Sequence, residues 1–290
     1  MTPERHATLI GGQGFVGRHL HARLSADGWA CWVPERNDPQ LWRLDLGHVF
    51  YCAGLTADFA QRPFDTVEAH ASLLNRVLLD AQFDSLVYLS STRLYDSLAD
   101  HLAGAEATED LALQLAPDNP RHLYDLSKAL GESLCRVAGR GRARVARLSC
   151  VWGDPADSEG FLPELMRRVL AARAEPGAAP QPRVTVDSSP RLARDYVHID
   201  DVIDALIALA TQGQSAIYNV AGGRNIANAQ LFERLAVASG CEIVPAHDRE
   251  AHALPRISIA RMAEEFGWRP AGVLDRVGRL IEQECACSSW

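Results

Sequence analysis

The chain has 290 residues, of which 47% are hydrophobic, and a formal net charge of −8. This length and apolar content suffice for a full hydrophobic core in one large or two smaller domains. The negative charge argues against a general nucleic-acid-binding surface, and no apolar run approaches the ~20 residues of a membrane span. The polar first residues and the seven cysteines without metal-site spacing predict a cytoplasmic protein with reduced thiols.

The first half of the sequence alternates short apolar segments with helical periodicity, the pattern of a doubly wound parallel (Rossmann) α/β sheet. The predicted strands are Thr8–Ile10, Ala30–Val33, His48–Cys52, Ser85–Ser90, Arg144–Val151, Arg183–Val186 and Ile217–Val220, and the predicted helices are Gly14–Asp27, Val67–Gln82, Tyr124–Ala138 and Phe161–Arg173. We expect a dinucleotide-binding domain over 1–151 plus about 195–222. A smaller C-terminal substrate-binding domain would comprise about 152–194 plus 223–290.

The interval between the second and third predicted strands is short. Only eleven residues, Asn37 to Gly47, separate Arg36 from His48. A crossover between two parallel strands already needs about a dozen residues, so this interval cannot also hold the third strand that such sheets usually carry. The sequence therefore predicts a short helix over Pro39–Leu46, no third strand, and Ala30–Val33 at the edge of the sheet.

A glycine-rich turn follows the first predicted strand. Gly11, Gly14 and Gly17 stand between that strand and a segment of helical periodicity. Glycines at this spacing allow a tight turn, close approach of the backbone to a pyrophosphate, and packing of the helix on the strand. The helix N-terminus then supplies amide donors and a favourable dipole. A glycine-rich stretch alone is equally consistent with an ordinary loop, but its place between strand and helix indicates dinucleotide binding.

A tyrosine and the only lysine of the chain, Tyr124 and Lys128, lie four residues apart. Residues at this spacing share one face of a helix, so the phenol and the ammonium project into the same space. A nearby cation favours the phenolate and lowers its pKa from ~10 towards the range in which acid–base catalysis works. The spacing indicates a catalytic pair. The alternative is a surface lysine that follows a tyrosine by chance.

The segment Leu86–Tyr95 is an apolar strand that ends in hydroxyl side chains, including Ser91 and Thr92. Hydroxyls in this place face the ligand side of a parallel sheet, although alone they are more typical of a turn. Together with the two motifs above, they resemble the extended short-chain dehydrogenase/reductases, the NAD(P)-dependent epimerase/dehydratase family. The matching stretches span nearly the whole chain in the family's order: Gly11–Gly17, Val49–Gly54, Leu89–Tyr95, Tyr124–Lys128, Arg194–Val202 and Tyr218–Gly222.

The resemblance implies a role for each matching residue. Tyr124 would exchange a proton with a substrate hydroxyl or carbonyl, and Lys128 would bind the nicotinamide ribose and lower the pKa of Tyr124. Ser91, or failing it Thr92, would hydrogen-bond the reacting oxygen. The cofactor-binding set would be Gly11, Gly14, Phe15, Val16, Gly17, Glu35, Arg36, Ala53, Gly54, Tyr124 and Lys128, and the substrate-binding set Ser91, Thr92, Cys150 and Arg194.

The cofactor is NAD or NADP. Glu35 falls where the family's ribose-binding acid usually lies and favours NAD, whereas the adjacent Arg36 could pair with a 2′-phosphate. Both are equally explained as solvated loop charges. No histidine or cysteine spacing supports a metal site, because the one HxH pair, His19 and His21, would diverge on a helix.

The same motifs discriminate among reactions. Sugar-nucleotide 4,6-dehydratases of this family carry an Asp-Glu pair where this chain has Thr92 and Arg93, so water elimination is not supported. Arg194 matches an arginine that contacts a substrate diphosphate, with a salt bridge as its alternative role. Cys150 stands where members that bind nucleotide sugars commonly have an asparagine, and a cysteine is a weak hydrogen-bond donor.

Three functions remain open at this stage. The first is an epimerase or ketoreductase acting on a nucleotide-activated sugar, and the second is a reductase of a carbonyl compound without a nucleotide. The third, a non-catalytic NAD(P)-binding sensor, is disfavoured because Ser91, Tyr124 and Lys128 are all retained. The surplus of apolar positions in the helices Val67–Gln82 and Tyr124–Ala138 predicts a homodimer built on a four-helix bundle.

Overall fold

The computed structural model describes residues 5–98, 106–157, 160–175, 181–251 and 253–287. In chain order the strands are β1 (His6–Ile10), β2 (Ala30–Trp32), β3 (His48–Tyr51), β4 (Ser85–Ser91), β5 (Glu106–Ala107), β6 (Ala143–Leu148), β7 (Cys150–Trp152), β8 (Arg183–Val186), β9 (Ala193–His198), β10 (Ile217–Val220), β11 (Asn225–Ala227), β12 (Glu242–Pro245) and β13 (Arg256–Ile257).

The helices enclose these strands. They are α1 (Phe15–Ala26), α2 (Pro63–Val67), α3 (Leu73–Asp80), α4 (His122–Ala138), α5 (Phe161–Ala174), α6 (Ile199–Gln212), α7 (Asn228–Ser239), α8 (Ala260–Phe266) and α9 (Val273–Cys287), with 3₁₀ turns at Pro39–Trp42 and Thr92–Leu98 and a π turn at Glu68–Ser72. In the part of the chain that the structure describes, no helix is both long and apolar enough to cross a bilayer.

The central sheet has six parallel strands in the order β10-β6-β4-β3-β1-β2. Strand β2 is the edge strand, and the interval after it forms the 3₁₀ turn Pro39–Trp42. The expectation of a Rossmann sheet without the usual third strand is therefore confirmed. The edge is short, which limits pairing with another chain.

Two apolar layers hold the central sheet. On one face, α1 and α6 pack Leu20 and Leu206 against strand residues such as Phe50. On the other face, α3 packs Leu74 together with Tyr51 and neighbouring strand side chains. A third apolar cluster joins α5, α7 and α9 to the smaller sheets β11-β9-β7 and β12-β8, with Trp152, Met166, Leu231 and Val277 among its members.

The predicted strand Arg144–Val151 is wrong in its extent. Strand β6 ends at Leu148, which is paired with Val220, the last residue of the neighbouring β10. Beyond that point the central sheet offers no continuation on this side, and Cys150–Trp152 pairs instead with Tyr196–His198 of β9. The chain therefore changes sheets at Ser149, which places Cys150 beside β9.

The helix predicted over Val67–Gln82 also differs from the prediction. It begins earlier, with Pro63 in the first helical turn, and ends at Asp80, because Ala81 is extended. Between α2 and α3 the π turn Glu68–Ser72 widens the helix. Two tyrosine hydroxyls from the adjacent strands donate hydrogen bonds to backbone carbonyls of this π turn. Tyr51 donates to Ala69 O at 2.7 Å and Tyr88 to His70 O at 3.0 Å. π turns of this kind are frequent at functional sites.

Candidate active site

The glycine turn between β1 and α1 is closed on the side of the sheet and open on the other. Gly11 has φ +81°, and a Cβ there would lie 2.5 Å from the backbone nitrogen of Ala53. At Gly17 a Cβ would lie 2.5 Å from Gly12 Cα, so α1 packs closely on the turn. Gly14, the N-cap of α1, has only Gly11 O nearby, at 3.5 Å. Phe15 and Val16 form the first turn of α1, so the amides that a pyrophosphate needs surround an open space.

The loop after β3 joins this turn to α4 through His70. Leu55 N donates to His70 Nε2 at 3.2 Å, and His70 Nδ1 lies 2.8 Å from Ser127 Oγ. Ser127 Oγ in turn donates its only proton to Tyr124 O at 2.8 Å. Nδ1 must therefore carry the imidazole proton, leaving Nε2 as the acceptor. Burial and the nearby Lys128 lower the pKa of His70 to about 3, so the ring is neutral.

Tyr124 and Ser91 face each other at the carboxyl end of β4. Ser91 is the last residue of β4, and Tyr124 lies in the first turn of α4. Burial raises the pKa of Tyr124, while a side-chain hydrogen bond with Ser91 and the charge of Arg93 lower it and Asp125 raises it further. Thr92, the alternative hydroxyl, begins the 3₁₀ turn that follows. The structure thus brings together the two residues predicted to handle the reacting oxygen.

Lys128 lies one turn after Tyr124 on α4 and is buried, with only 5% of its surface exposed. Its Nζ donates to Leu89 O at 2.8 Å and lies 5.0 Å from the ring centroid of Tyr88. A Cβ on Gly54 would come within 3.2 Å of Nζ, so Lys128 also touches the loop after β3. Burial lowers the pKa of Lys128 to about 7, although Glu132 opposes this effect. The lysine therefore connects α4 with β4 and with the loop after β3.

A buried ion pair forms the floor of the site one helical turn after Lys128. Arg147 of β6 binds both carboxylate oxygens of Glu132, at 2.9 and 2.6 Å. Ser90 Oγ donates to the same carboxylate at 2.6 Å, and Arg147 Nη1 lies 2.5 Å from Tyr95 OH. The bidentate geometry and the extra hydrogen bonds satisfy both buried charges. The network fixes α4 relative to the ends of β4 and β6.

Positive charge predominates at the open side of the site. Burial raises the pKa of Asp96, and the guanidinium groups of Arg121, Arg93 and Arg194 all oppose that rise. Burial likewise raises the pKa of the Cys150 thiol, while a side-chain hydrogen bond and the charge of Arg194 lower it. Strand β7 pairs Cys150 with Tyr196 of β9, two residues after Arg194. This surface is suited to an anionic ligand such as a diphosphate.

The residues predicted to choose the cofactor lie just after β2. Glu35 and Arg36 are both exposed. Arg36 pairs with Asp65 at 3.2 Å, and Asp65 also pairs with Arg62 at 2.8 Å. Among the residues described, no group of three or more His, Cys, Asp or Glu side chains could hold a metal ion.

The sequence analysis missed the contributions of His70, Arg93 and Glu132. No spacing rule links His70 to Ser127, since they are 57 positions apart. Glu132 could have been found, because it follows Lys128 by four residues on the same helical face. Arg93 was noted only as a departure from the dehydratase pattern, whereas its guanidinium lies 4.5 Å from the ring centroid of Tyr124.

Comparison with known proteins agrees with this geometry. The model of the NAD dependent epimerase/dehydratase family matches residues 7–221. The chain belongs to this family. It is 30% identical to a GDP-6-deoxy-D-mannose reductase of Pseudomonas aeruginosa over 94% of both chains. It is 27% identical to a dTDP-6-deoxy-L-talose 4-dehydrogenase (NAD(P)(+)) of Kitasatospora kifunensis over 97% of this chain and 95% of the relative.

A solved structure shares the whole fold. The structure of RMD from Pseudomonas aeruginosa complexed with NADPH is 25% identical, with a TM-score of 0.75 over 97% of this chain and 98% of the other. The extended short-chain dehydrogenase/reductase resemblance is therefore confirmed, and the chain is an NAD(P)-dependent enzyme of a family that acts on nucleotide sugars.

Proposed function

We propose that this enzyme reduces the keto group of a nucleotide-activated sugar, using Ser91, Tyr124 and Lys128. The observation that carries the proposal is the placement of Ser91 at the end of β4 and of Tyr124 and Lys128 one turn apart on α4, with Lys128 against the loop at Gly54 that closes the glycine turn. Full-length similarity to a GDP-6-deoxy-D-mannose reductase and a dTDP-6-deoxy-L-talose 4-dehydrogenase supports this substrate class.

In the reductive direction, Ser91 and Tyr124 would bind the keto oxygen, and Tyr124 would donate the proton that turns it into a hydroxyl. The bound nicotinamide supplies the hydride. Lys128 Nζ uses one of its three donors on Leu89 O, so the other two can bind ribose hydroxyls. The glycine turn, with its open side at Gly14, would hold the pyrophosphate.

A 4-epimerase is the second candidate, because it needs the same three residues. Elimination is less well supported. The two residues after Ser91 are Thr92 and Arg93, and a guanidinium cannot act as the acid or base that a carboxylate pair would supply. The substrate diphosphate would bind Arg194, as the family match at that position implies.

For the cofactor we favour NAD. Glu35 is exposed immediately after β2 and can accept hydrogen bonds from a ribose diol, while Arg36 is engaged by Asp65. The pair Arg36–Asp65 is solvent-exposed and weak. Comparing kcat/KM for NADH and NADPH, in wild type and in Asp65→Asn, tests this choice. A strong preference for NADPH in the wild-type enzyme would contradict it.

The function can be tested with a panel of nucleoside-diphosphate 4-keto sugars, each with NADH and NADPH. A reductase oxidises one cofactor molecule for each product molecule. A 4-epimerase instead starts from the 4-hydroxy sugar and oxidised cofactor, so a parallel panel of nucleoside-diphosphate 4-hydroxy sugars with NAD and NADP should be inverted at C4 without net change in the cofactor. Simple aldehydes and ketones without a nucleotide form the control series. They test the alternative substrate class that Cys150, a weak hydrogen-bond donor, would favour. Turnover of the control series alone, or turnover that survives Tyr124→Phe, would contradict the proposal.

We also propose that the enzyme is a homodimer. Three apolar side chains on α3 and α4 are exposed: Leu79 at 67%, Leu130 at 50% and Val137 at 83%. Two such helices from each subunit can pack as a four-helix bundle around a two-fold axis. Light scattering coupled to gel filtration should give twice the 31.7 kDa of one chain. The double variant Leu79→Glu/Val137→Glu should shift the mass to that of a monomer, and a wild-type monomer at micromolar concentration would contradict the dimer.

A further inference from the structure

Arg93 stacks on the proposed catalytic tyrosine. Its guanidinium carbon lies 4.5 Å from the ring centroid of Tyr124 and 5.5 Å from that of Phe59. The two rings are themselves 5.6 Å apart, so Arg93 and Phe59 both pack against Tyr124. A guanidinium is less strongly hydrated than an ammonium and suits this stacked position.

The backbone of Arg93 acts on the same site. Arg93 N donates to Ser91 Oγ at 3.2 Å. A serine hydroxyl has one proton and two acceptor positions. Because the Arg93 amide fills one acceptor position, the hydroxyl proton of Ser91 is free to point at the phenolic oxygen of Tyr124. One residue therefore presents two features that favour negative charge on that oxygen.

Lys128 is placed differently. Its Nζ is bound to Leu89 O and lies over the ring of Tyr88. The other charged or titratable groups that act on Tyr124 are Asp125 on its own helix, Tyr88 on β4 and neutral His70, whose ring meets Tyr124 edge-on at 5.3 Å. Asp96 on the 3₁₀ turn and His122 and Arg121 at the start of α4 lie further out, around Asp125. Of the basic groups near Tyr124, Arg93 is the one stacked on its ring.

The geometry points to Arg93 as a positioning residue for the proton-transfer step: its charge and its backbone amide stabilise the phenolate of Tyr124. Arg93 acts here in addition to Lys128, which the family match assigns to the nicotinamide ribose. The kinetic consequence rests on the proposed function, whereas the effect on Tyr124 itself does not. An arginine in the place of a dehydratase carboxylate would thus support reversible proton exchange and not elimination.

The sign of the effect follows from the charge. Removing a cation disfavours the phenolate and raises the pKa of Tyr124. In the reductive direction Tyr124 must carry its proton, so activity falls as pH rises through this pKa, and the fall should move to higher pH in Arg93→Met. In the oxidative direction Tyr124 must be deprotonated. The rise of activity with pH should therefore also move to higher pH, with about a tenfold loss of rate for each pH unit on the acid side.

The test that needs no substrate is an NMR titration of protein labelled with ¹³Cζ-tyrosine, with Tyr124→Phe identifying the resonance. We expect the midpoint of Tyr124 to rise by about one pH unit in Arg93→Met and Arg93→Gln, and by less in Arg93→Lys, which keeps a charge. Arg121→Met removes a nearby arginine that does not stack on Tyr124 and should leave the midpoint in place. Two neutral variants are used so that a folding defect in one does not decide the result.

An unchanged midpoint in both neutral variants, with Arg93 removed and the protein folded, would overturn the inference. So would an equal shift in Arg121→Met, because the effect would then be one of net charge. A second test compares the pH profiles of kcat for reduction and for oxidation in the wild type and in Arg93→Met, both of which should move to higher pH in the variant. A shifted NMR midpoint without turnover of any nucleotide sugar would leave Arg93's effect on Tyr124 standing and would count against the proposed function alone.

Discussion

Lys128 and Arg93 each lie over a tyrosine ring, but the two cations differ in burial and in what holds them. Lys128 is almost fully buried, is bound to Leu89 O, and lies 5.0 Å from the centroid of Tyr88. Arg93 is half-buried at the opening and lies 4.5 Å from the centroid of Tyr124. A desolvated ammonium loses its proton readily, whereas a guanidinium keeps its charge at every working pH.

The spacing of Tyr124 and Lys128 predicts that the lysine lowers the pKa of the tyrosine. Ser91 and Arg93 are two further side chains that act in this direction. Lys128 also contacts the loop at Gly54, where we propose that it binds a ribose. We therefore propose that Arg93 assists the proton transfer through its permanent charge and that the ionisable Lys128 mainly serves the cofactor.

The largest effect should come from Tyr124→Phe. Loss of the phenolic hydroxyl removes the proton donor, so we expect turnover to fall at least about 100-fold. The affinity for NAD(H), measured by the quenching of tryptophan fluorescence, should remain close to that of the wild type. In Lys128→Met, by contrast, the affinity for NAD(H) should fall. Full activity in Tyr124→Phe, or unchanged cofactor affinity in Lys128→Met, would break the separation of tasks.

A smaller effect is expected from His70, which links the cofactor loop to the catalytic helix. His70→Ala leaves Leu55 N and Ser127 Oγ without their partner, and we expect about a tenfold loss in kcat/KM for the cofactor, expressed mainly in KM. His70→Asn keeps a donor for Ser127 and should recover part of the loss. The double variant His70→Ala/Ser127→Ala should lose little more than the worse single variant, because both changes break one chain of hydrogen bonds. Fully additive losses would show that no such chain operates.

The smallest effect concerns stability. Burial lowers the folded-state pKa of Lys128 from its ordinary 10.5 to about 7, so the unfolded chain binds one more proton between these values. The cost of the buried charge is complete below about pH 7 and is relieved as pH rises towards 10.5. Lys128→Met should therefore raise Tm by about 2–4 °C at about pH 6, with a smaller gain at about pH 9. Arg93→Met, which removes a charge that is not fully buried, should show no such gain. A pH-independent difference in Tm for Lys128→Met would contradict the low pKa.

Much of the fold follows from local sequence. The shortened interval before His48 predicted the missing strand, because chain length alone limits what a crossover can contain. The glycine turn is equally local and is present in the structure, and Tyr124 and Lys128 both lie on α4, as their spacing predicts. The strand break at Ser149 was not predictable in this way, because it depends on where the neighbouring β10 ends, some 70 residues further along the chain.

The parts of the site that escaped the sequence analysis are those that depend on distant contacts. The tautomer of His70 is set by Ser127, and the π turn that presents His70 is completed by the hydroxyls of Tyr51 and Tyr88. Arg93 is close to Ser91 in sequence, but its stacking on Tyr124 depends on how the 3₁₀ turn meets α4. Spacing rules describe one helix or one strand, and these contacts join several.

The most direct measurement of the central claim is a crystal structure of Tyr124→Phe with NAD(H) and a nucleoside-diphosphate 4-keto sugar. The expected complex has Lys128 Nζ bound to both Leu89 O and the nicotinamide ribose, and Ser91 Oγ within hydrogen-bonding distance of the keto oxygen. Arg93 should stack on the phenyl ring that the substitution introduces as it does on the ring of Tyr124, and Arg194 should contact the diphosphate. A keto oxygen bound away from Ser91, or a ribose out of reach of Lys128, would contradict the account.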